Sequence, residues 1–570
     1  MKRSKRILAL CTTAILMLSM LAGCGSSTDT STAGSTQSSN SGDSSVVYDT
    51  SKTLEISWLG LGGNNIVDGN PVQKMIEEKF NVKITNTKVD ITDTEQLNIL
   101  LSSGEMPDTA FLYKTVAEME NLDLIRSIPM DMIKQYYPSY AALLDEYPVG
   151  WKINHSSVNP DDFACLSGPA LYIQNDGYMS FYRLDWLEEA GIELPGELQQ
   201  LDSEGRLFFC PTSFTLEQQE EIFSNFVTRT ASNGGKVYGM TGNKDYAQHS
   251  FSSLFATYGV KVFETFGFEE DGKYIYGYQS KKWQEALTKL QDYYAKGFID
   301  PECVSQDLPT SWEKITNGNV GYWSTCVSYV NPAYTDRPPF SVLQKDPEAK
   351  IVILPPERKD ENAEQNFPTY TDMPHAFNYL TFISRDVDDE KLARILMIYE
   401  YLNFDKEASI FARFGEENVD FEWSGEAYNS PAVYINDAAT AEGKGAKGLI
   451  YYPMVIYDDQ MTKYIVPSTE VPLLDWVKAR DYTPIVSERY DLLGENTKEY
   501  SELSALYKNE FDLVWNSFYM ECMLGKKDPV ADWDTYLEDL DRAGASQMAE
   551  ILGKGPLFLP AEKGEVVYSE

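Results

Sequence analysis

Leu54-Glu55-Ile56-Ser57-Trp58-Leu59, followed by Gly60-Leu61-Gly62-Gly63, decides how this chain folds. Leu54, Ile56 and Trp58 alternate with Glu55 and Ser57, the period-two pattern of a strand. The glycines break it, and Asn70-Pro71 opens a helix with proline at its first position. Val72, Met75, Ile76 and Phe80 share one face of that helix, and Asn81 closes it. Val82 to Thr85 forms a second strand. Asp93 with Gln96 three residues on is a capping box for a helix carrying Leu97, Leu100 and Leu101. Gly104 ends that helix, and Thr109 to Tyr113 is a third strand. The β-α-β-α-β order predicts an α/β protein with a parallel sheet and right-handed crossovers.

Similar signals recur downstream. Ser280 caps a helix bearing Trp283, Leu287, Leu290 and Tyr294, with Gly297 as its stop. A helix from about Asp388 aligns Leu392, Ile395, Leu396, Tyr399 and Leu402, and a long one near Glu502–Leu524 carries Leu503, Leu506, Val514 and Phe518. No internal repeat stands at a fixed period.

Upstream, 15 of the 20 residues from Ser26 to Ser45 are Ser, Thr or Gly, a composition that cannot bury enough apolar surface to order itself. This tether would span roughly 25 Å as a flexible coil. Before it, Lys2, Arg3, Lys5 and Arg6 precede an apolar run from Ile7 to Leu21. That run is short for a bilayer, which needs about 20 residues. Leu21-Ala22-Gly23-Cys24 resembles a bacterial lipoprotein processing site. The resemblance implies export, cleavage before Cys24 and a lipid on its sulfur.

Loss of the four leading basic residues would take the formal charge from −39 to −43. So acidic a chain repels phosphate backbones and anionic headgroups. Nucleic acid is therefore excluded as a partner, and the membrane is met through the lipid alone. Five cysteines remain after Cys24 (Cys165, Cys210, Cys303, Cys326 and Cys522), an odd number without C-x-x-C spacing, which predicts buried thiols rather than a disulfide framework. His155, His249 and His375 are the only histidines, and no two lie three or four residues apart, so neither a metal site nor a catalytic triad is expected. Gly60 to Asn65 lacks the third glycine of a dinucleotide loop, and no phosphate-binding loop follows, so no cofactor is expected.

Four stretches are similar to the extracellular solute-binding proteins of carbohydrate ABC importers, in their long lipoprotein branch. They are Leu101-Ser-Ser-Gly104-Glu-Met-Pro107-Asp108; Tyr182-Arg183-Leu-Asp185-Trp186-Leu187 to Gly191-Ile192; Lys296-Gly297-Phe298-Ile299-Asp300-Pro301 with Asn317-Gly318-Asn319-Val320-Gly321-Tyr322-Trp323; and Phe414-Gly415 to Asp420-Phe421-Glu422-Trp423. The likeness covers nearly all of residues 53–555. It implies a two-lobe fold of the type II periplasmic-binding-protein kind, with parallel-sheet lobes joined by a hinge of several crossings and the ligand between them. The implied plan is a signal peptide at 1–23, the lipidated cysteine and tether at 24–50, a first lobe of 51–178 with 377–430, and a second of 179–376 with 431–570.

Carried over position by position, the resemblance implies that Trp58, Asn64, Asn65 and Tyr113 face the ligand from the first lobe. Tyr322 and Trp323 would do so from the second, with Arg183 at the first crossing and Tyr370, Asp372 and His375 just before the next. Trp423 serves core or ligand equally. Some members of the branch carry a calcium loop; here Asn233-Gly234-Gly235 keeps the glycines without acidic ligands, so no metal is expected. The implied function is a monomeric receptor on the outer face of the membrane of a Gram-positive type cell. It would capture a carbohydrate, in particular an oligosaccharide, and deliver it to an ABC permease without catalysis. Two alternatives stay open: a secreted glycosidase or lyase, since abundant carboxylates hide any pair at about 5–10 Å, and the same receptor with a peptide or other polar solute.

Overall fold

A computed structural model describes residues 50–568 except 92, 147–155, 157–158, 160, 170–177, 245–248, 261–266, 271, 333–336, 366–376, 457–458, 479–497, 554–555 and 559–565. The processing site with Cys24 and the tether lie outside the described residues. The opening segments fold as their sequence dictates: β1 (Leu54–Leu59), α1 (Pro71–Phe80), β2 (Val82–Asn86), α2 (Thr94–Ser102) and β3 (Thr109–Phe111). The Asn70 side chain accepts from the Gln73 N–H to start α1, and Asn81 ends it in the left-handed conformation at φ 50°. Asp93 accepts from the N–H groups of Glu95 and Gln96. The capping box is only half made, because the Gln96 amide donates to the Asp93 carboxylate rather than accepting from its backbone.

Seven more strands complete two five-stranded sheets: β4 (Leu166–Pro169), β5 (Tyr178–Arg183), β6 (Gln199–Gln200), β7 (Leu207–Phe209), β8 (Tyr322–Cys326), β9 (Ile351–Leu354) and β10 (Phe377–Ile383). The first sheet runs β2-β1-β3-β10-β4 and the second β8-β5-β9-β7-β6. Both sheets contain the expected parallel pairing, but each also includes antiparallel strands. β1 pairs in parallel with β2 and β3, but β10 enters antiparallel to both β3 and β4. In the second sheet only β7 and β9 pair in parallel. β10 returns from the second sheet rather than through a βαβ crossover, so its direction is not fixed by the handedness rule.

Both faces of each sheet are covered, as an α/β architecture requires. Ile56 and Trp58 of β1 pack with Val72 and Ile76 of α1 and with Leu392, Ile395 and Tyr399 of helix Asp389–Phe404, while Leu59, Ala110 and Phe382 face Leu97 and Leu101 of α2. In the second sheet Tyr182 and Tyr322 join Phe223, Trp283 and Tyr293 on one face, and Phe181 and Trp323 join Val330, Ile353 and Leu473 on the other.

The division expected at residue 430 is corrected by this packing. Ala438, Leu449, Tyr451, Tyr452, Met454 and Ile456 belong to the first core. The Tyr451 hydroxyl donates to the Trp58 carbonyl at 2.6 Å, and the Tyr452 hydroxyl to Asn86 Oδ1 at 2.8 Å. Glycines at 60 and 168 admit this segment: a Cβ there would sit 1.7 Å from the Tyr451 carbonyl and 1.8 Å from that of Val455. The chain joins the second sheet's cores only further on, at Val466, Leu473 and Leu474, and then at Phe511 to Leu552.

Candidate ligand-binding site

Register fixes at which end of each sheet the chain passes to the other. Residues 170–177 connect β4 to β5, and 355–376 connect β9 to β10. Phe377 pairs with Pro169, so both connections leave the first sheet at one end. The same end receives the carboxyl termini of β1 and β3, because Thr381 pairs with Phe111 and β1 runs parallel to β3. There Gly60–Asn65 and Tyr113 emerge. In the second sheet Cys326 pairs with Tyr178 and Leu354 with Ser180, so the connections reach the ends of β8 and β9. Turn Val327–Val330 follows β8 there, Pro211 follows β7 and Pro355–Glu357 follows β9. Loops at strand carboxyl ends are where open α/β sheets hold ligands.

The expected site residues divide sharply in this frame. Trp58 is 1% exposed, its ring 5.0 Å from Tyr399 and 5.8 Å from Tyr452, so it is a core residue rather than a ligand contact. Tyr322 is fully buried against Tyr182 and Phe223. Trp323 is stacked on Phe181 at 5.6 Å and 21° in the opposite core. Alternation along β8 sends these two rings to opposite faces, and both faces are covered. They also sit three and four residues short of the strand's end, roughly 10 Å away at about 3.3 Å per residue. Arg183 lies at the far end of β5, bidentate on Asp185 at 2.9 and 2.6 Å, with a third bond to Asp346 at 2.8 Å and its guanidinium over Trp186. It is a buried ion-pair hub, not a cleft residue.

Three others stand at the end from which the connections leave the first sheet. Tyr113 follows β3 and is 54% exposed, edge-on to Phe111. Asn64 is exposed and donates to Asp90 Oδ2 at 3.3 Å. Asn65 donates to Asn64 Oδ1 at 3.2 Å, while its carbonyl presses on Gly445, where a Cβ would come within 2.0 Å. Tyr370, Asp372 and His375 lie outside the described residues. Asn233 bonds Asn319 Oδ1 at 2.8 Å and accepts from the Gly235 N–H, which closes the Asn-Gly-Gly loop with amides. Among the described residues no cluster of three or more His, Cys, Asp or Glu side chains has the arrangement of a metal site.

The second sheet's end carries aromatic residues beyond the Gly-Tyr-Trp motif. Tyr329, in the turn after β8, meets Trp312 edge-on with ring centroids 6.1 Å apart at 78°. The Arg337 guanidinium lies 4.9 Å from the Trp312 ring and 5.1 Å from the Tyr329 ring. Trp476 donates its indole N–H to the Pro211 carbonyl at 3.1 Å and packs edge-on against Phe209. All four side chains are half-buried. The one sequence signal for Tyr329 is its place seven residues beyond Tyr322, the start of the strand that follows Gly321. Trp312, Arg337 and Trp476 arrive from distant segments and carry none.

Behind this end lies a buried polar network. The Tyr182 hydroxyl donates to Glu357 Oε1 at 2.5 Å and accepts from Gln219 Nε2 at 3.0 Å, and the Tyr293 hydroxyl donates to Gln219 Oε1 at 3.1 Å. Desolvation pushes the Glu357 carboxyl up to about 7, against the Tyr182 bond, which pulls it down. A separate cavity of about 220 Å³ lies between helices Lys498–Met523 and Trp533–Arg542, at neither sheet end.

No family model matches the chain. It is similar to Lipoprotein LipO of Bacillus subtilis (strain 168), 23% identical over 498 residues, with 84% of this chain and 83% of that protein covered. Among solved structures, the S. pneumoniae ABC-transporter substrate-binding protein FusA, in complex with kestose, superposes with a TM-score of 0.65 at 17% identity, over 88% of this chain and 98% of FusA. An ABC-transporter-associated solute-binding protein from Bifidobacterium longum infantis, described as HMO-binding, gives a TM-score of 0.61 at 14% identity, over 88% of this chain and 97% of its own. The chain has the two-lobe fold of ABC-transporter substrate-binding proteins. Both neighbours are described as substrate- or solute-binding proteins.

Proposed function

We propose that the chain is a lipid-anchored extracellular receptor that takes an oligosaccharide between its lobes and passes it unaltered to an ABC permease. The observation that supports this most is the completeness of the likeness: FusA, solved with kestose, is matched over 98% of its length. The similar B. subtilis protein is named a lipoprotein, in keeping with lipid on Cys24.

In this proposal the first lobe comprises about residues 51–169 and 377–456, and the second about 178–354 with the chain from about 459 onward. Asn64, Asn65 and Tyr113 form one wall, with Tyr329, Trp312 and Trp476 opposite. Tyr370, Asp372 and His375, on the second crossing segment, remain proposed contacts. Aromatic faces cover the C–H side of a pyranose while amides and hydroxyls take its O–H groups. A sugar touching both walls favours the closed arrangement by its differential affinity, and that closed arrangement is what a permease recognises.

The test is a melting-temperature screen of the folded body, residues 48–570, against an oligosaccharide panel, with mass spectrometry of the recovered sugar. At least one oligosaccharide should raise the melting temperature by mass action and return intact. Stabilisation by none of them, or recovery of cleaved fragments, would contradict the proposal.

A further inference from the structure

Building on the receptor proposal, we infer that the segment from Lys444 to Ile450 belongs to the sugar-binding wall of the first lobe. Ile450 covers a C–H patch of a sugar ring, and the Lys444 ammonium donates to its hydroxyl oxygens. The segment is laid against the loop that leaves β1. The Val67 N–H donates to the Gly445 carbonyl at 3.1 Å. A Cβ on Gly445 would sit 2.0 Å from the Asn65 carbonyl, and one on Gly60 1.7 Å from the carbonyl of Tyr451. Gly60 and Asn65 follow the carboxyl end of β1, the end of the first sheet from which the chain passes to the second.

Ile450 is strained, and the core does not use the side chain that the strain keeps in place. Its φ is 61°, in the left-handed region that a β-branched residue rarely enters. This conformation turns the chain from helix Ala441–Lys447 towards Gly60, with the Ile450 N–H donating to the Ala412 carbonyl at 2.9 Å. Glycine would make the same turn without strain. Among the described residues the half-buried isoleucine side chain joins none of the hydrophobic clusters, so core packing does not offset the strain. Strain without packing marks functional positions.

Lys444 is equally unexplained by the fold. Its ammonium lies 4.3 Å from the centre of the Tyr434 ring, and among the described residues it meets no carboxylate and no hydrogen-bond acceptor. Lys447, on the same short helix, pairs with Asp420 at 2.9 Å. The chain has 87 acidic side chains against 48 basic ones, so counterions are abundant, yet none stands at Lys444. Desolvation lowers the amine's pKa from the ordinary lysine value, which shows that water does not fully replace the missing partner. The segment thus brings three unused N–H donors and an aliphatic side chain to a loop whose Val67 is itself 49% exposed. Donors beside an aliphatic surface match the hydroxyl edges and C–H faces of a neutral sugar.

Calorimetric titration of residues 48–570, which form one compact unit, with fructo-, manno-, xylo- and galacto-oligosaccharides tests the inference. For the series that binds the native protein, Ile450→Gly should weaken affinity by about tenfold or more without lowering the melting temperature. Lys444→Met, which keeps the stem and removes the donors, should weaken it by about tenfold with the melting temperature again unchanged. Reductive methylation read by mass spectrometry needs no substitution: saturating oligosaccharide should slow modification of Lys444 and leave Lys447 unaffected. Native affinity in one folded variant would remove that residue from the wall. Native affinity in both, or equal methylation of Lys444 with and without bound sugar, would overturn the inference and leave the receptor proposal standing. Weaker binding accompanied by a lower melting temperature would assign the segment a structural role and overturn it as well. Binding of none of the four series by the native protein would overturn both. If Ile450→Gly does not fold, Ile450→Asn, which also tolerates the left-handed region, and the methylation comparison decide.

Discussion

Trp323 and Glu357 show how a side chain's surroundings overrule its residue type. A tryptophan after Gly321-Tyr322 looks like a stacking platform, yet its ring is sandwiched in the core against Phe181. Trp323→Ala should therefore act on stability, costing about 3–5 kcal/mol. Denaturant unfolding checks this, and a variant with native stability but no sugar binding would return Trp323 to the cleft. Glu357 makes a pH prediction. Its carboxyl titrates near 7 in the folded protein against an ordinary 4.5, because burial disfavours the charged form. Below about pH 4.5 folded and unfolded chains both hold the proton, and burial of the neutral acid costs nothing extra. Between 4.5 and 7 only the unfolded chain releases it, so stability falls as pH rises, by roughly 3 kcal/mol once pH exceeds 7. Glu357→Gln should flatten that part of the curve in urea unfolding at pH 5 and pH 8. An unchanged difference between the two pH values would remove Glu357 from the explanation. At this scale the sequence is least legible: Tyr113 and Asn64 could be placed from strand ends, whereas Trp58, Tyr322 and Arg183 could not, because their burial depends on partners from other segments, such as Tyr399, Tyr182 and Asp346 respectively.

The elements are more legible, and for a local reason. β1, α1, β2, α2 and β3 follow from alternation, from Asn70-Pro71 and from Asp93, all short-range signals. The strand expected to reach Tyr113 stops at Phe111, which is what leaves Tyr113 outside the sheet. The reversal of β10 and the return of residues 438–456 to the first core have no local signature. Their trace in the sequence is a pair of glycines whose role appears only when the two segments meet. Gly60→Ala and Gly168→Ala each place a methyl group inside a backbone carbonyl's contact distance. Each should cost about 1–3 kcal/mol by overpacking and lower the melting temperature. Asn70→Ala removes both the α1 cap and a donor to the Tyr452 hydroxyl at 2.9 Å, so it should cost a further measurable amount, about 1–2 kcal/mol. Native melting temperatures for the glycine variants would show that the 449–456 segment does not hold the first lobe together.

At the scale of the molecule, the proposed receptor needs its two sheets to close about a guest, and the chain passes between them from the end of the first sheet where β1 and β3 finish. The acidity, from which repulsion of phosphate-bearing partners is expected, is a bulk property and was legible at once. The expected lobe plan rested on resemblance alone, since segments that connect two sheets look like any other connections, and its boundary at 430 had no local signal. Small-angle scattering of residues 48–570, with and without a saturating oligosaccharide identified by titration, addresses the receptor account most directly. Closure predicts a smaller radius of gyration when sugar is bound, reversed on its removal. An identical scattering curve in the two states, with sugar demonstrably bound, would contradict a site shared by two moving lobes.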